Sequence, residues 1–271
     1  MREALRFLAS ELRLVAGRRR NQAGVLVLIS LPVAITVATR LSGRDGRGGA
    51  GFVDQIASNG VFAAFAALTI EMGLFLPMAV AMVSGDAIAG EAQAGTLRYL
   101  LTVPVGRTRL LAVKYAALVA TATFGAAAVA VTGVVAGVLV FGTGPLTTLS
   151  GSQIPLADGL WRLTLSTLYV SAGLAALAAV GLFVSTLTEQ PIAVTVVVVV
   201  VAAGSWILDS IPQLSAIHPW LLVDRWLSFA DLMRDPPAWG TVLGGLGVDA
   251  AYTVVFLLAA WASFSARDVT S

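Results

Sequence analysis

The sequence contains no cysteine and a single histidine, His218. The first absence excludes a disulfide framework and any thiolate metal site, and the second leaves little from which to build an imidazole site. Charge is also scarce: 12% of the 271 residues are Asp, Glu, Lys or Arg, against about a quarter in soluble domains. With 58% of the residues hydrophobic, a soluble core cannot hide the apolar surface. Length alone would allow one or two soluble domains, but composition points to a polytopic membrane protein. No G-x-x-x-x-G-K-[ST] run occurs, so the chain lacks the loop that cradles nucleotide phosphates. The basic residues sit at the ends of apolar runs, a placement that suits membrane topology rather than nucleic acid.

A spanning helix needs about 20 mainly apolar residues. Six stretches qualify: Ala23–Leu41, Ser58–Val83, Leu110–Phe141, Leu160–Leu187, Pro191–Leu208 and Val242–Phe264. The fifth is rich in valine and would read as a strand in water. In lipid an open strand leaves its backbone groups unpaired, so a helix is expected. The third is longer than one span requires, which implies tilt or an extension beyond the bilayer. Pro77 is expected to kink the second. The first run is long and lacks a small-residue cleavage site, so it is read as a span and not as a cleaved signal peptide.

Residues 1–20 are amphipathic. Leu5, Leu8, Leu12 and Val15 share one helical face and Arg2, Arg6 and Arg13 another, as in a helix lying in the membrane interface, with Arg18, Arg19 and Arg20 at lipid head groups. Phe7 and Leu14 interrupt the polar face. With the N-terminus inside, cytoplasmic segments hold eleven of the seventeen basic residues. That bias predicts a multi-pass protein of the plasma membrane with both termini in the cytoplasm. On the outer side, residues 209–240 are expected to form short helices re-entering the outer leaflet, with Trp206, Trp220, Trp226 and Trp239 as interface anchors. The chain reads as one transmembrane domain, residues 1–271, all-α, with a polar loop at residues 84–109.

That loop carries most of the charge in the middle of the chain. Asp86 and Glu91 follow the second apolar run, then Gly95–Thr96–Leu97, then "LLTVPVGR" ending at Arg107, then Lys114. Gly85, Gly90 and Gly95 weaken a continuous helix, and Pro104 with Gly106 marks a second break. Between them "EAQAGTLRYLL" reads as a short helix bounded by hinges. This order of residues resembles the first cytoplasmic loop of type-2 ABC exporter permeases. The six-span plan, the basic N-terminal helix and the outer segment before the last span resemble that family too. The resemblance implies a coupling helix seated on a separate nucleotide-binding ATPase subunit, with Asp86, Glu91, Gly95, Thr96 and Leu97 at or near the contact. It also implies that Arg107 and Lys114 fix the loop to lipid phosphate or to the partner. ATP and Mg would belong to the ATPase chain, with no cofactor, metal or catalytic residue on this one. A second permease copy, identical or related, and membrane lipid complete the implied partners.

By the same resemblance the second and fifth spans line a path at the dimer seam, which makes Phe65, Glu71, Phe75 and Met78 candidates for its wall. Glu71 lies near the middle of its span, where a carboxylate is costly and turns away from lipid. It either meets a cationic substrate or proton, or makes a structural hydrogen bond. Asp249 reads as a helix-end acid near the interface, His218 as a turn-shaping loop residue, and Gly125, Gly133 and Gly137 as close-packing positions. The implied function is export of an amphipathic drug, antibiotic or lipid-like molecule. Export of a lipid or glycolipid, service to a copper-maturation system, and a non-transporting scaffold or sensor are the alternatives. An intramembrane enzyme lacks the paired catalytic groups it would need at membrane depth.

Overall fold

In a bilayer only a helix satisfies every backbone N–H and C=O within its own segment, and each long apolar run becomes one. The computed structural model describes residues 2–42, 59–95, 106–144 and 146–266. The helices are α1 (Arg2–Gly17), α2 (Arg19–Ser42), α3 (Gly60–Gly73), α4 (Phe75–Ala87), the short α5 (Ala89–Gln93), α6 (Arg107–Phe141), α7 (Leu156–Leu187), α8 (Pro191–Asp209) and α9 (Trp239–Ala266). Helices α2, α6, α7, α8 and α9 are each long and apolar enough to cross a membrane, and α3 with α4 forms a sixth, bent span. The protein is an all-α membrane protein. Helix α7 is the buried axis, packed by α9, α6 and α4, whereas α2, α8 and α9 turn most of their apolar side chains outward.

The second span is broken, and the break is not at Pro77. Helix α3 ends at Gly73, Leu74 leaves helical geometry (φ −149°, ψ −56°), and α4 restarts at Phe75 with its axis turned by 52°. Pro77 sits in the first turn of α4, where its missing N–H matters least. Its ring would clash with the carbonyl four residues earlier, which is that of Gly73, so the strain appears one turn upstream.

Glycines set the tightest crossing, between α3 and α6. Gly137 packs directly on the backbone of Gly60, and Gly133 on the backbone of Ala64; a Cβ at either glycine would overlap the facing helix. Asn59 caps α3 by accepting from the Val61 N–H at 2.8 Å. Its amide donates to the Gly144 carbonyl, which ties the start of α3 to the end of α6. Gly125, the third glycine of the α6 series, only reaches ordinary contact with Leu28 and Leu76.

At this end of the bundle the structure adds a feature not expected from sequence. Strands β1 (Leu146–Thr147) and β2 (Gln153–Ile154) form a small antiparallel hairpin. The Leu149 N–H donates to the Met233 carbonyl at 2.9 Å, joining the hairpin to the segment before α9. That segment consists of 3-10 turns, the longest at Trp226–Met233. Trp226 is not an interface anchor: it is 1% exposed, edge-on to Trp206 and against Gly173. Trp220 and Trp239 do remain exposed. The His218 ring closes a turn through the Ile211 carbonyl at 3.1 Å. Asp249 lies ten residues into α9, about 15 Å from its start, and is buried rather than placed at a helix end.

The glycine crossing predicts a selective packing defect. Gly137→Leu should destabilise the detergent-solubilised protein by about 1–3 kcal/mol or more, as overpacking does. Gly204→Leu, where a Cβ meets nothing within 4 Å, should leave the melting temperature nearly unchanged. Equal melting temperatures for the two variants would refute the crossing.

Candidate functional site

The buried ion pairs lie at the opposite end of the bundle, around the start of α2, the end of α4 and the start of α6. Their placement begins with α1. Phe7, Glu11 and Val15 recur every four residues and so share one face. Phe7 and Val15 pack against the apolar core, and Glu11 between them is buried. Leu5, Arg6 and Arg13 are exposed. Phe7, which sequence placed as an interruption of the polar face, is therefore part of the face that docks α1 on the body, and Glu11 is its polar centre.

Glu11 meets the chain's single lysine. Lys114 lies two turns into α6, and its side chain is 5% exposed. Its ammonium donates to Glu11 at 2.8 Å and to Glu91 of α5 at 3.3 Å. One cation thus joins the N-terminal helix, the loop after the second span, and the third span. Beside it, Asp86 at the end of α4 accepts from Arg20 at 2.5 Å and is also ion-paired with Arg18. Arg20 further donates to the Met82 carbonyl at 3.2 Å. A void of about 20 Å³, room for about one water, is lined by Glu11, Arg18, Asp86, Glu91 and Lys114, so the two ion-pair groups form one site.

The rest of the loop is clamped from α7 and α8. Ser185 accepts from the Ile88 and Ala89 N–H groups at 3.1 and 2.9 Å, which satisfies two donors at the start of α5. Gly85 of α4 lies against the Pro191 carbonyl of α8, closer than a side chain would allow, and Gly181 of α7 lies against Ser84. Gly95 ends the short helix with φ +70°, a left-handed geometry that favours glycine. On the other side of the loop, Arg107 at the start of α6 donates to the Phe264 and Ser265 carbonyls at 3.3 and 2.8 Å, at the end of α9.

The structure therefore brings Asp86, Glu91, Arg107 and Lys114 to one end of the bundle. It gives the basic residues partners within the chain. Lys114 is buried between glutamates of its own chain, and Arg107 binds the end of α9. Arg18 and Arg20 pair with Asp86 and stay partly exposed. Thr96 and Leu97 lie outside the described residues, as does most of the proposed coupling helix beyond Gly95. Two members of the site were not found from sequence. Glu11 had a signal, an acid spaced by four from Phe7 and Val15. Ser185, an ordinary serine near a helix end, had none.

The four residues expected along a pathway are not brought together. Phe65 and Glu71 are buried inside the chain's own bundle, and neither Glu71 oxygen has a hydrogen-bond partner among the described residues. Phe75 and Met78 instead line a cavity between α2, α4 and α6, with Met78 at its exposed rim.

A bundle of five or six apolar helices, with its ionic groups at the two ends and its buried ion pairs around a short loop at one of them, defines a multi-pass membrane protein. Its family is shown by comparison: residues 18–203 match the ABC-2 family transporter protein family, and the chain belongs to it. Over 89 residues it is 38% identical to the probable ABC transporter permease protein NosY of Pseudomonas aeruginosa. That match covers 31% of this chain and 32% of the relative, so the chain spans about a third of the length of the curated relative it matches. The protein is a transporter permease subunit.

Removing one partner of a buried ion pair strands the other and costs about 3–5 kcal/mol. Lys114→Met should lower stability by that order, read as a fall in melting temperature of the solubilised protein. Adding Glu11→Gln to Lys114→Met should recover part of the loss, because it removes a stranded carboxylate. Losses that simply add would contradict the pairing.

Proposed function

We propose that this chain is the permease of an ATP-binding cassette exporter that moves an amphipathic substrate, such as a drug, an antibiotic or a lipid-like molecule, outward across the plasma membrane. ATP and Mg bind to a separate nucleotide-binding chain, and this chain binds no cofactor. The loop end of the bundle is the cytoplasmic end, and both termini lie on that side. A second permease copy, identical or related, completes the transporter.

One observation carries the reading: the loop after the second span is bonded to every element a push would have to move. A force on α5 passes through Glu91 and Lys114 into α6, and through Glu11 into α1. Asp86 carries it into α2 through Arg18 and Arg20, and Ser185 into α7. The bend at Gly73–Leu74 lets α4 turn with the loop while α3 stays fixed on α6 at the glycine crossing. Outward-facing apolar residues on the second span (Ile70, Leu74) and on α8 (Ile192, Val196, Val200) supply surface for a seam between permease copies. An opening within such an apolar seam suits an amphipathic substrate.

The absence of native cysteine permits a direct test. Gln93→Cys, exposed at the end of α5, should cross-link to the co-purified nucleotide-binding chain and resist an impermeant thiol reagent on intact cells. Trp220→Cys, at the opposite end, should react with that reagent and form no such cross-link. Labelling of Gln93→Cys from outside would overturn the orientation. An absent cross-link in membranes that still transport with ATP would overturn the coupling role. A scaffold or sensor would show no ATP-dependent transport at all, and assays of reconstituted transport separate amphipathic drugs from lipid and from copper-maturation cargo.

A further inference from the structure

A lateral cavity of about 450 Å³ lies between α2, α4 and α6. That volume falls within the range of about 300–1,000 Å³ typical of small-molecule sites. Its wall is almost wholly hydrocarbon, from residues such as Gly24, Leu28, Ala79, Leu118 and Phe124, and Arg20 and Asn21 close one end. The cavity is long as well as apolar. It runs from Arg20 to Leu28 on α2, from Phe75 to Val83 on α4, and from Leu118 to Gly125 on α6. At 1.5 Å per residue each of the three stretches is about 11–12 Å long. One bilayer leaflet contributes about 15 Å of hydrocarbon. The slot is therefore open to lipid along most of a single leaflet, with Val27, Met78 and Phe124 exposed at its rim.

The polar end carries positive charge. Arg20 lines the cavity and is held there by Asp86 and the Met82 carbonyl. Arg18 shares the same carboxylate, and Arg19 beside them is exposed. Two guanidinium groups thus share one acid, a third lies between them in the chain, and the five N–H donors of Arg20 exceed what its two partners use. An ion-pair latch alone would not need an arginine excess at the mouth of a dry slot.

We propose that this cavity holds one acyl chain of an anionic phospholipid from the leaflet at this end of the bundle, with its phosphate at Arg19 and Arg20. Hydrocarbon walls take the chain, the arginines select the charge, and a length close to one leaflet excludes a ligand that must cross the midplane. The proposal rests on the membrane-protein class and the cavity. It stands apart from the direction of transport and the nature of the cargo.

Native mass spectrometry of the full-length chain tests it, after exchange into vesicles of phosphatidylglycerol or phosphatidylcholine and extraction in mild detergent. The chain should retain one phosphatidylglycerol in preference to phosphatidylcholine, by about fivefold for each contributing arginine. Arg19→Gln, which leaves the Asp86 pairs intact, should reduce that preference about fivefold while a lipid stays bound. Gly24 lines the slot, and a Cβ there meets nothing within 4 Å. Gly24→Leu should therefore fill the space without disturbing the fold, and lower retention of both lipids at least about tenfold at an unchanged melting temperature. Equal retention of the two lipids by the unaltered chain would overturn the proposal, as would undiminished retention by Gly24→Leu. So would efficient disulfide formation between two copies of Met78→Cys in membranes, because the mouth would then be covered by a second permease.

Discussion

The site depends on one constraint: the chain's only lysine is buried and must satisfy two carboxylates from different parts of the sequence. Glu11 lies 103 residues before Lys114, and Glu91 lies 23 before it. A buried cation without partners would cost several kcal/mol, so α1, α5 and α6 cannot separate locally without paying that penalty. The neighbouring Asp86 does the same for α2 and α4. These contacts are short-range and directional. They can join elements into a unit where the hydrophobic effect cannot, because in lipid apolar helices gain little from meeting one another.

Away from this end, the bundle is held by shape. Gly60, Gly133 and Gly137 bring the backbones of α3 and α6 together, and Gly173 receives Trp226. Between the rigid α3–α6 crossing and the latched end of α4 lies the 52° break at Gly73–Leu74. The second span therefore has a fixed half and a half tied to the loop. That division gives the loop a lever: α4, α5 and α1 belong to the latched part, while α3, the β1–β2 hairpin and the Trp226 turns belong to the opposite end.

How much of this was legible in the sequence follows from what each signal encodes. The helices were legible because lipid allows an apolar run few other conformations, and the expected runs match α2, α6, α7, α8 and α9 closely. The break in the second span was legible only in part. Pro77 announced strain, but the strain falls at the residue whose carbonyl the ring would strike. Trp226 and Trp220 look alike in sequence, and only the folding of the 3-10 turns onto α7 and α9 separates the buried one from the exposed one. The loop was legible as a cluster of charge, whereas its partners were not. Periodicity places Glu11 beside Phe7 and Val15, yet nothing local says that the face docks against Lys114. Arg18, Arg20 and Lys114 were legible as charges, but the acids of the same chain that each one pairs with were not.

The central claim is that α1 and the loop after the second span move as one body. Double electron–electron resonance between spin labels at Ala9→Cys on α1 and Gln93→Cys on α5, in the complex with the nucleotide-binding chain proposed above, measures this directly. The account predicts one narrow distance that is the same with and without ATP, while the distance from Gln93→Cys to a label at Trp220→Cys on the far end changes with nucleotide. An Ala9–Gln93 distance that shifts on ATP binding, or splits into two populations, would contradict it.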